Sequence, residues 1–112
     1  MEIQRIGFVC PVPDIAEAIG VLGLLLGAEP SFVDGERWAQ FDVAGARIAL
    51  AGTDRFSDAP GLMIKVADCE AAARELAGAG LDVAPVVAGA HEQRAEVAIP
   101  GGWRVMLYSS TP

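Results

Sequence analysis

The sequence predicts an α+β protein made of two tandem βαβββ modules, whose curved mixed sheets form a concave cleft. The main observation is a repeat, because a short apolar strand followed by an aspartate-capped helix occurs in both halves of the chain. A shift of 54 positions lays Val12 on Val66 and Asp14 on Asp68, and later turns and strands recur in the same order. Two copies of one supersecondary unit usually pack together, since neither buries its apolar face alone.

The first module, residues 1–52, contains one predicted helix that begins at Asp14 and ends at Gly27. An aspartate accepts hydrogen bonds from the N–H groups of a first helical turn, and glycine adopts the left-handed conformation that ends helices. Strands are predicted at residues 3–12, 29–33, 37–43 and 47–51. Asp34 and Gly35 form a typical hairpin turn between the second and third of these strands.

The second module, residues 61–112, follows a linker at residues 53–60 and repeats the plan within what is predicted to be a single domain. Asp68 caps its helix, and Gly78 and Gly80 end it. Strands are predicted at residues 62–66, 82–87, 94–99 and 103–109, with a loop at residues 88–92.

Composition restricts the possible partners. Fifteen acidic and eight basic residues give a net charge of -7, which argues against nucleic acid and mildly favours cationic small molecules. The longest apolar run, residues 19–28, is about half of a membrane span. With no cationic, apolar leader at the start, a cytoplasmic location is expected. Cys10 and Cys69 lack the spacing of a zinc or redox pair, and both are interpreted as small buried hydrophobes.

Strand parity divides the sheet residues into two faces, because successive side chains of a strand point in opposite directions. One face is uniformly apolar and is predicted to lie under the helices. It comprises Phe8, Cys10, Phe41, Val43, Ile48, Leu50, Leu62, Ile64, Val66, Val97, Ile99, Val105 and Leu107. The other face is mixed and comprises Gly7, Val9, Trp38, Gln40, Asp42, Arg47, Ala49, Met63, Lys65, Glu96, Arg104, Met106 and Tyr108.

The mixed face is interpreted as the wall of a ligand cleft. A plain solvated sheet face is the alternative, but Met63, Met106, Trp38 and Tyr108 would then form a costly exposed apolar patch. The predicted ligand-binding residues are Trp38, Gln40, Arg47, Met63, Glu96, Arg104, Met106 and Tyr108.

With this arrangement the sequence resembles the vicinal oxygen chelate superfamily. The resemblance rests on two βαβββ modules, on the Val-Pro-Asp that closes the first strand at residues 12–14, and on the Ile-Pro-Gly-Gly at residues 99–102 before the last strand. The superfamily contains glyoxalase I, extradiol dioxygenases, fosfomycin-resistance enzymes and bleomycin-resistance binding proteins. Its enzymes hold a divalent metal in the cleft with side chains from four strands.

The resemblance places those four ligand positions at Gly7, Ala49, Gly61 (or its immediate neighbour) and Met106. None of these residues can coordinate a hard divalent cation, so no metal and no cofactor is expected. His91 is the sole histidine. Although Glu92 and Glu96 accompany it, this group is interpreted as a solvated turn.

The resemblance therefore implies the metal-free binding proteins of the superfamily, which take up a drug or metabolite without transforming it. The expected ligand is a small, planar or aromatic molecule that stacks on Trp38 and Tyr108, with Trp103 as a further candidate, and antibiotic or metabolite sequestration is the expected role. Because Arg47, Lys65 and Arg104 share the face, an anionic or neutral ligand also fits. No catalytic residue is assigned.

Two alternatives remain open from the sequence. One is a metal-independent lyase or isomerase that uses Glu96 or Asp42 as a base. The other is an interaction module without a ligand, which a filled cleft would favour. Relatives usually pair two chains, so a two-fold homodimer is expected, with Phe56 of the linker helping to bury its surface.

Overall fold

The computed structural model describes residues 1–89 and 91–111. In chain order the elements are β1 (Ile3–Pro11), α1 (Ile15–Leu26), β2 (Phe32–Asp34), β3 (Trp38–Val43), β4 (Ala46–Ala51), β5 (Gly61–Val66), α2 (Cys69–Gly78), β6 (Val87–Ala88), β7 (Glu92–Ile99) and β8 (Trp103–Ser110). The order is βαβββ twice, which confirms the predicted α+β class and its two modules. Neither helix of the described residues is long and apolar enough to cross a membrane.

The chain divides into two compact units. The first unit is Gly7–Pro60, and the second unit combines Met1–Ile6 with the chain from Gly61 onward. In the first unit the strands are hydrogen-bonded in the order β2-β3-β4-β1, with β1 parallel to β4 and the other pairs antiparallel. In the second unit the order is β5-β8-β7-β6, with β5 parallel to β8 and the other pairs antiparallel. Each unit is therefore a mixed sheet with one helix.

The helix ends follow the predicted capping chemistry. The Asp14 carboxylate accepts a hydrogen bond from the backbone N–H of Glu17 at 3.0 Å, and Gly27 ends α1 with φ +61°. Likewise, the Asp68 carboxylate accepts from the N–H of Ala71 at 3.1 Å at the start of α2. The same cap therefore opens the helix of each module.

Each helix packs on the apolar face that parity assigned to it. In the first unit α1 lies against β3 and β4, and Phe41 is fully buried beside Ile15 and Leu50. In the second unit α2 lies against β7 and β8. The second core contains Val66, Cys69, Ala72, Ala73, Ala95, Val97, Val105 and Leu107.

Phe8 is an exception, since parity placed it under a helix and it is 57% exposed. Its strand, β1, is next to β4, but α1 packs against β4 and β3. Parity predicted the face on which Phe8 lies, whereas the position of the helix on that face decides what is covered.

The edge strands are shorter than predicted. The second strand starts at Phe32 instead of at residue 29. The strand expected at residues 82–87 is reduced to β6 and a single bridge between Val83 and Val97, because Pro85 has no N–H to give to a ladder. In the expected loop at 88–92, the first and last residues belong to strands, and Ala90 lies outside the described residues.

Candidate functional site

The resemblance assigns the first-strand ligand positions of the metal enzymes to Gly7 and to Gly61 or its immediate neighbour, and both glycines lie against the neighbouring strand. A β-carbon on Gly7 would collide with the carbonyl oxygen of Arg47, and one on Gly61 would lie 2.6 Å from the carbonyl oxygen of Arg104. Real β-carbons do not approach backbone oxygens so closely. Neither position therefore has room for a metal-binding side chain on this backbone.

The fourth-strand positions are no better suited to a metal. Ala49 pairs with Val9 across β1 and β4, and Met106 pairs with Met63 across β5 and β8. All four side chains are buried, and their atoms are carbon or a soft thioether sulfur, which a hard divalent cation does not favour. The residues at these positions do not fit the metal that the fold's enzymes hold.

No replacement metal site is found in the described part of the chain, where no group of three or more His, Cys, Asp and Glu residues is arranged to bind an ion. His91 is exposed at a bend before β7, and its carbonyl oxygen accepts a hydrogen bond from the N–H of Thr111 at 3.3 Å.

In the first unit, β3 and β4 place three predicted binding residues in one polar row. The indole N–H of Trp38 donates to Oε1 of Gln40 at 3.2 Å. Two positions further along β3, the Asp42 carboxylate accepts from Nε and Nη2 of Arg47 at 2.8 and 3.1 Å. The hydroxyl of Ser31 also donates to Asp42, at 2.8 Å. These hydrogen bonds fix the side chains in place before any ligand arrives.

Exposure distinguishes this row from the rest of its face. Trp38, Gln40 and Arg47 are each half-buried, so part of every side chain is open to solvent. Val9 and Ala49, on the same face, are buried. The row therefore combines accessible aromatic, amide and charged groups with a rigid backbone of two paired strands.

The predicted residues of the second unit are mostly inaccessible. Met63, Met106 and Tyr108 are buried, and the two methionines are among the largest fully buried side chains of the protein. The other two form an ion pair across β7 and β8, in which Arg104 donates to the Glu96 carboxylate. Alternation along the strands identified the face of these residues but gave no measure of their depth.

Arg94 is a buried charged residue on this face that was not predicted. It lies opposite Tyr108 in the β7–β8 register, and its guanidinium is 3.3 Å from the Glu92 carboxylate. Arg94 is two positions before Glu96, so strand alternation alone indicates that it shares the face of Glu96. Ser31 was also missed, because it precedes β2 and has no strand parity.

The open hollows of the first unit lie beside α1. One of them, an apolar hollow of about 380 Å³, lies between α1 and strands β1 and β4. It is lined by Cys10, Val12, Pro13, Asp14, Glu17, Ala18, Val21, Leu22, Ile48 and Leu50. This volume is within the range of small-molecule sites, but the hollow is on the helix side, and none of the predicted binding residues lines it.

Neither cysteine is activated. Burial, together with smaller contributions from the nearby Asp68 and Glu70 carboxylates, raises the pKa of the Cys69 thiol to about 11. Burial also raises the pKa of the Cys10 thiol. Because the thiolate is the nucleophile, both remain protonated thiols near neutral pH and act as packing residues.

No family model matches the sequence, and no curated protein matches it. Solved structures with the same fold are numerous, however. A Legionella pneumophila protein described as an NAD-dependent benzaldehyde dehydrogenase has a TM-score of 0.85 and is 14% identical, over 96% of this chain and 100% of that chain.

Methylmalonyl-CoA epimerase from Mycobacterium tuberculosis has a TM-score of 0.66 and is 23% identical, over 99% of this chain and 89% of its own. A glyoxalase/bleomycin resistance protein/dioxygenase superfamily member from Vibrio splendidus 12B01 has a TM-score of 0.68 and 15% identity, over 96% and 98% of the two chains. At these identities the similarity shows the fold alone.

Proposed function

From the vicinal oxygen chelate fold that this chain has, we propose that the protein binds a small molecule without a metal ion and without transforming it. The proposed site is the polar row of the first unit, Trp38, Gln40, Asp42 and Arg47. Sequestration of an antibiotic or a metabolite is the corresponding biological role.

The observation that supports metal independence is the pair of glycines at the first-strand ligand positions. Gly7 and Gly61 are equivalent residues of the two modules, and both lie against a strand carbonyl where no side chain fits. The same replacement in both modules removes ligands from both halves of the family's metal site.

The chemistry of the row supports a planar ligand. A half-buried indole offers one face for stacking on an aromatic ring. Gln40 accepts the indole N–H through its amide oxygen, which leaves its amide nitrogen as a donor for a polar group at the edge of that ring. Arg47, held by Asp42, supplies positive charge beside a negative one, so neutral or zwitterionic ligands fit better than strongly charged ones.

Binding is better supported than catalysis, because the carboxylates of the candidate bases are already engaged. Asp42 accepts hydrogen bonds from Arg47 and Ser31, and Glu96 accepts from Arg104. A general base needs a free oxygen within reach of the substrate proton. The alternative function remains a metal-independent lyase or isomerase that uses Glu96, whose side chain is mostly buried.

The proposed partners are the small-molecule ligand and a second copy of the chain. The proposed location is the cytoplasm. The net charge of -7 supports the proposed lack of binding to nucleic acid.

The test is a screen of the pure protein against planar antibiotics and metabolites, with thermal stabilisation and product formation measured on the same samples. Stabilisation with every compound recovered unchanged supports the binding function. Conversion of a stabilising compound to product shows the lyase or isomerase alternative, and no stabilisation by any compound of the panel contradicts both.

A further inference from the structure

The outer surface of α1 carries large apolar side chains that packing within the first unit leaves exposed. Leu24 and Leu25 are 87% and 76% exposed, and Val21 is 56% exposed. From residue 18 to residue 28 no side chain is polar or charged. Large apolar side chains in such a contiguous exposed patch mark interaction surfaces.

The second helix is an internal comparison, because α2 occupies the same place in the other module. The shift that lays Asp14 on Asp68 lays Gly20 on Arg74 and Val21 on Glu75. Both of these α2 residues are exposed, so α2 is an ordinary amphipathic helix with a charged outer surface. The module therefore does not require an apolar outer surface on its helix.

Gly20 of α1 is equally unexplained by the fold, whereas a β-carbon on Gly23 would lie 3.2 Å from the carbonyl oxygen of Ala28. A β-carbon added to Gly20 would meet nothing within 4 Å, although glycine inside a helix costs about 1 kcal/mol relative to alanine. Next to Leu24 lies an open hollow of about 440 Å³. It is lined by Ile19, Gly20, Gly23, Leu24, Gly27, Ala28, Glu29 and Pro30. Glycines of this kind allow another backbone to approach closely.

We propose that this surface binds the same surface of a second copy of the chain. The α1 helices of the two copies cross at a two-fold axis, and the leucine ridge of each copy enters the glycine-lined hollow of the other. A two-fold contact must be self-complementary, and here a ridge and a hollow of matching apolar character lie side by side on one helix.

Charge also favours a second copy over an unrelated partner. Two chains of net charge -7 repel each other, and the middle of α1 is a surface that carries no carboxylate of its own, with Glu29 the one acidic residue that lines the hollow. A basic partner would be expected to meet acidic residues, and residues 18–28 contain none.

The apolar surface extends beyond the helix, as the size of a stable interface requires. A 12-residue helix is about 18 Å long, and stable interfaces bury about 800 Å² on each partner. From Val21 the surface continues across the apolar hollow that contains Ile48. Ile48 pairs with the exposed Phe8 in the β1–β4 register. The strand residue left uncovered by α1 thus adds to the same contact.

The decisive experiment is sedimentation equilibrium on the wild-type chain, Val21→Glu and Val87→Glu. Val21→Glu copies the residue that α2 carries at the equivalent position. Val87, on the edge strand β6, is 59% exposed and is the matched control. We expect a wild-type dimer, a dissociation constant raised about tenfold or more in Val21→Glu, and no change in Val87→Glu.

A second variant separates a specific contact from general hydrophobic adhesion. Gly20→Leu adds apolar surface and should stabilise the isolated helix, but it fills the hollow. We expect it to weaken dimerisation, with unchanged or higher thermal stability at concentrations low enough for both proteins to be monomeric. If Gly20→Leu strengthens association, or Val21→Glu remains dimeric like the control, the α1 interface is wrong.

The inference rests on the proposed homodimer, and the two can fail separately. A wild-type monomer at all accessible concentrations overturns both, whereas a wild-type dimer that persists unweakened in either α1 variant overturns only the interface. Ligand binding at the polar row is measured independently of either result.

Discussion

A β-carbon on Gly61 would lie 2.6 Å from the carbonyl oxygen of Arg104, the second residue of β8. The equivalent glycine of the first module, Gly7, has the same relation to Arg47. The two modules therefore share a close backbone contact at equivalent glycines.

Gly61→Ala tests this contact directly. The methyl group must push β5 and β8 apart, so we expect the free energy of unfolding to fall by about 1–3 kcal/mol, the usual cost of overpacking. Gly78→Ala is the control, since a β-carbon there meets nothing within 4 Å and should be neutral or stabilising by up to about 1 kcal/mol. Urea unfolding of both variants gives the comparison, and equal stabilities would show that Gly61 has room for a side chain.

Trp38 and Phe41 test the assignment of the two faces. Phe41 is fully buried under α1, so Phe41→Ala should lower the free energy of unfolding by about 3–5 kcal/mol. Trp38 is half-buried on the opposite face, so Trp38→Ala should change it by about 1 kcal/mol or less. The same variant should weaken the binding of a planar ligand by about 1 kcal/mol or more.

These two substitutions are compared by urea unfolding and by ligand titration. Similar losses of stability in Trp38→Ala and Phe41→Ala would mean that the indole belongs to a core, and the binding role of the row would fall with it.

The raised pKa of the Cys69 thiol predicts that the protein loses stability at alkaline pH. Its thiol ionises near pH 11 in the folded protein, against an ordinary pKa of 9.0. As the pH rises, the Cys69 thiol of the unfolded chain therefore loses its proton at a lower pH than the thiol of the folded protein. Between the two pKa values the folded state binds more protons than the unfolded state. By linkage the contribution of Cys69 is fully present below about pH 9 and is lost as the pH rises towards about 11.

The measurement is urea unfolding of the wild type and Cys69→Ala at several pH values from 8 to 11. The variant is expected to be less stable at every pH because of the cavity, but its stability should fall less steeply. Parallel pH profiles would contradict the raised pKa of the buried thiol.

Much of the fold was predictable because its signals are local. Asp14 and Asp68 cap helices through hydrogen bonds within three residues, and strand alternation placed Phe41 in a core. The extents of the edge strands were less accurate, since Pro85 interrupts a ladder whose existence depends on a distant partner, β7. The exposure of Phe8 depends on which strands α1 covers, and no local sequence pattern predicts the position of the helix on the sheet.

The candidate site was predicted less completely. The residue types at Gly7, Ala49, Gly61 and Met106 are the basis of the expectation that no metal binds, and the close backbone contacts of the two glycines could not be read from the sequence. Alternation gave the face of Met63 but not its complete burial. Pairings such as Asp42 with Arg47 depend on register between strands, which is set by the turn geometry and the core as a whole.

The most direct test of the account is a calorimetric titration of chelator-treated protein with the compound that stabilises it best, with and without added divalent metal ions. The account predicts a dissociation constant that does not change when metal is removed or restored, and that increases about fivefold or more in Trp38→Ala. Binding that disappears after chelation and returns with one metal ion per chain would contradict it.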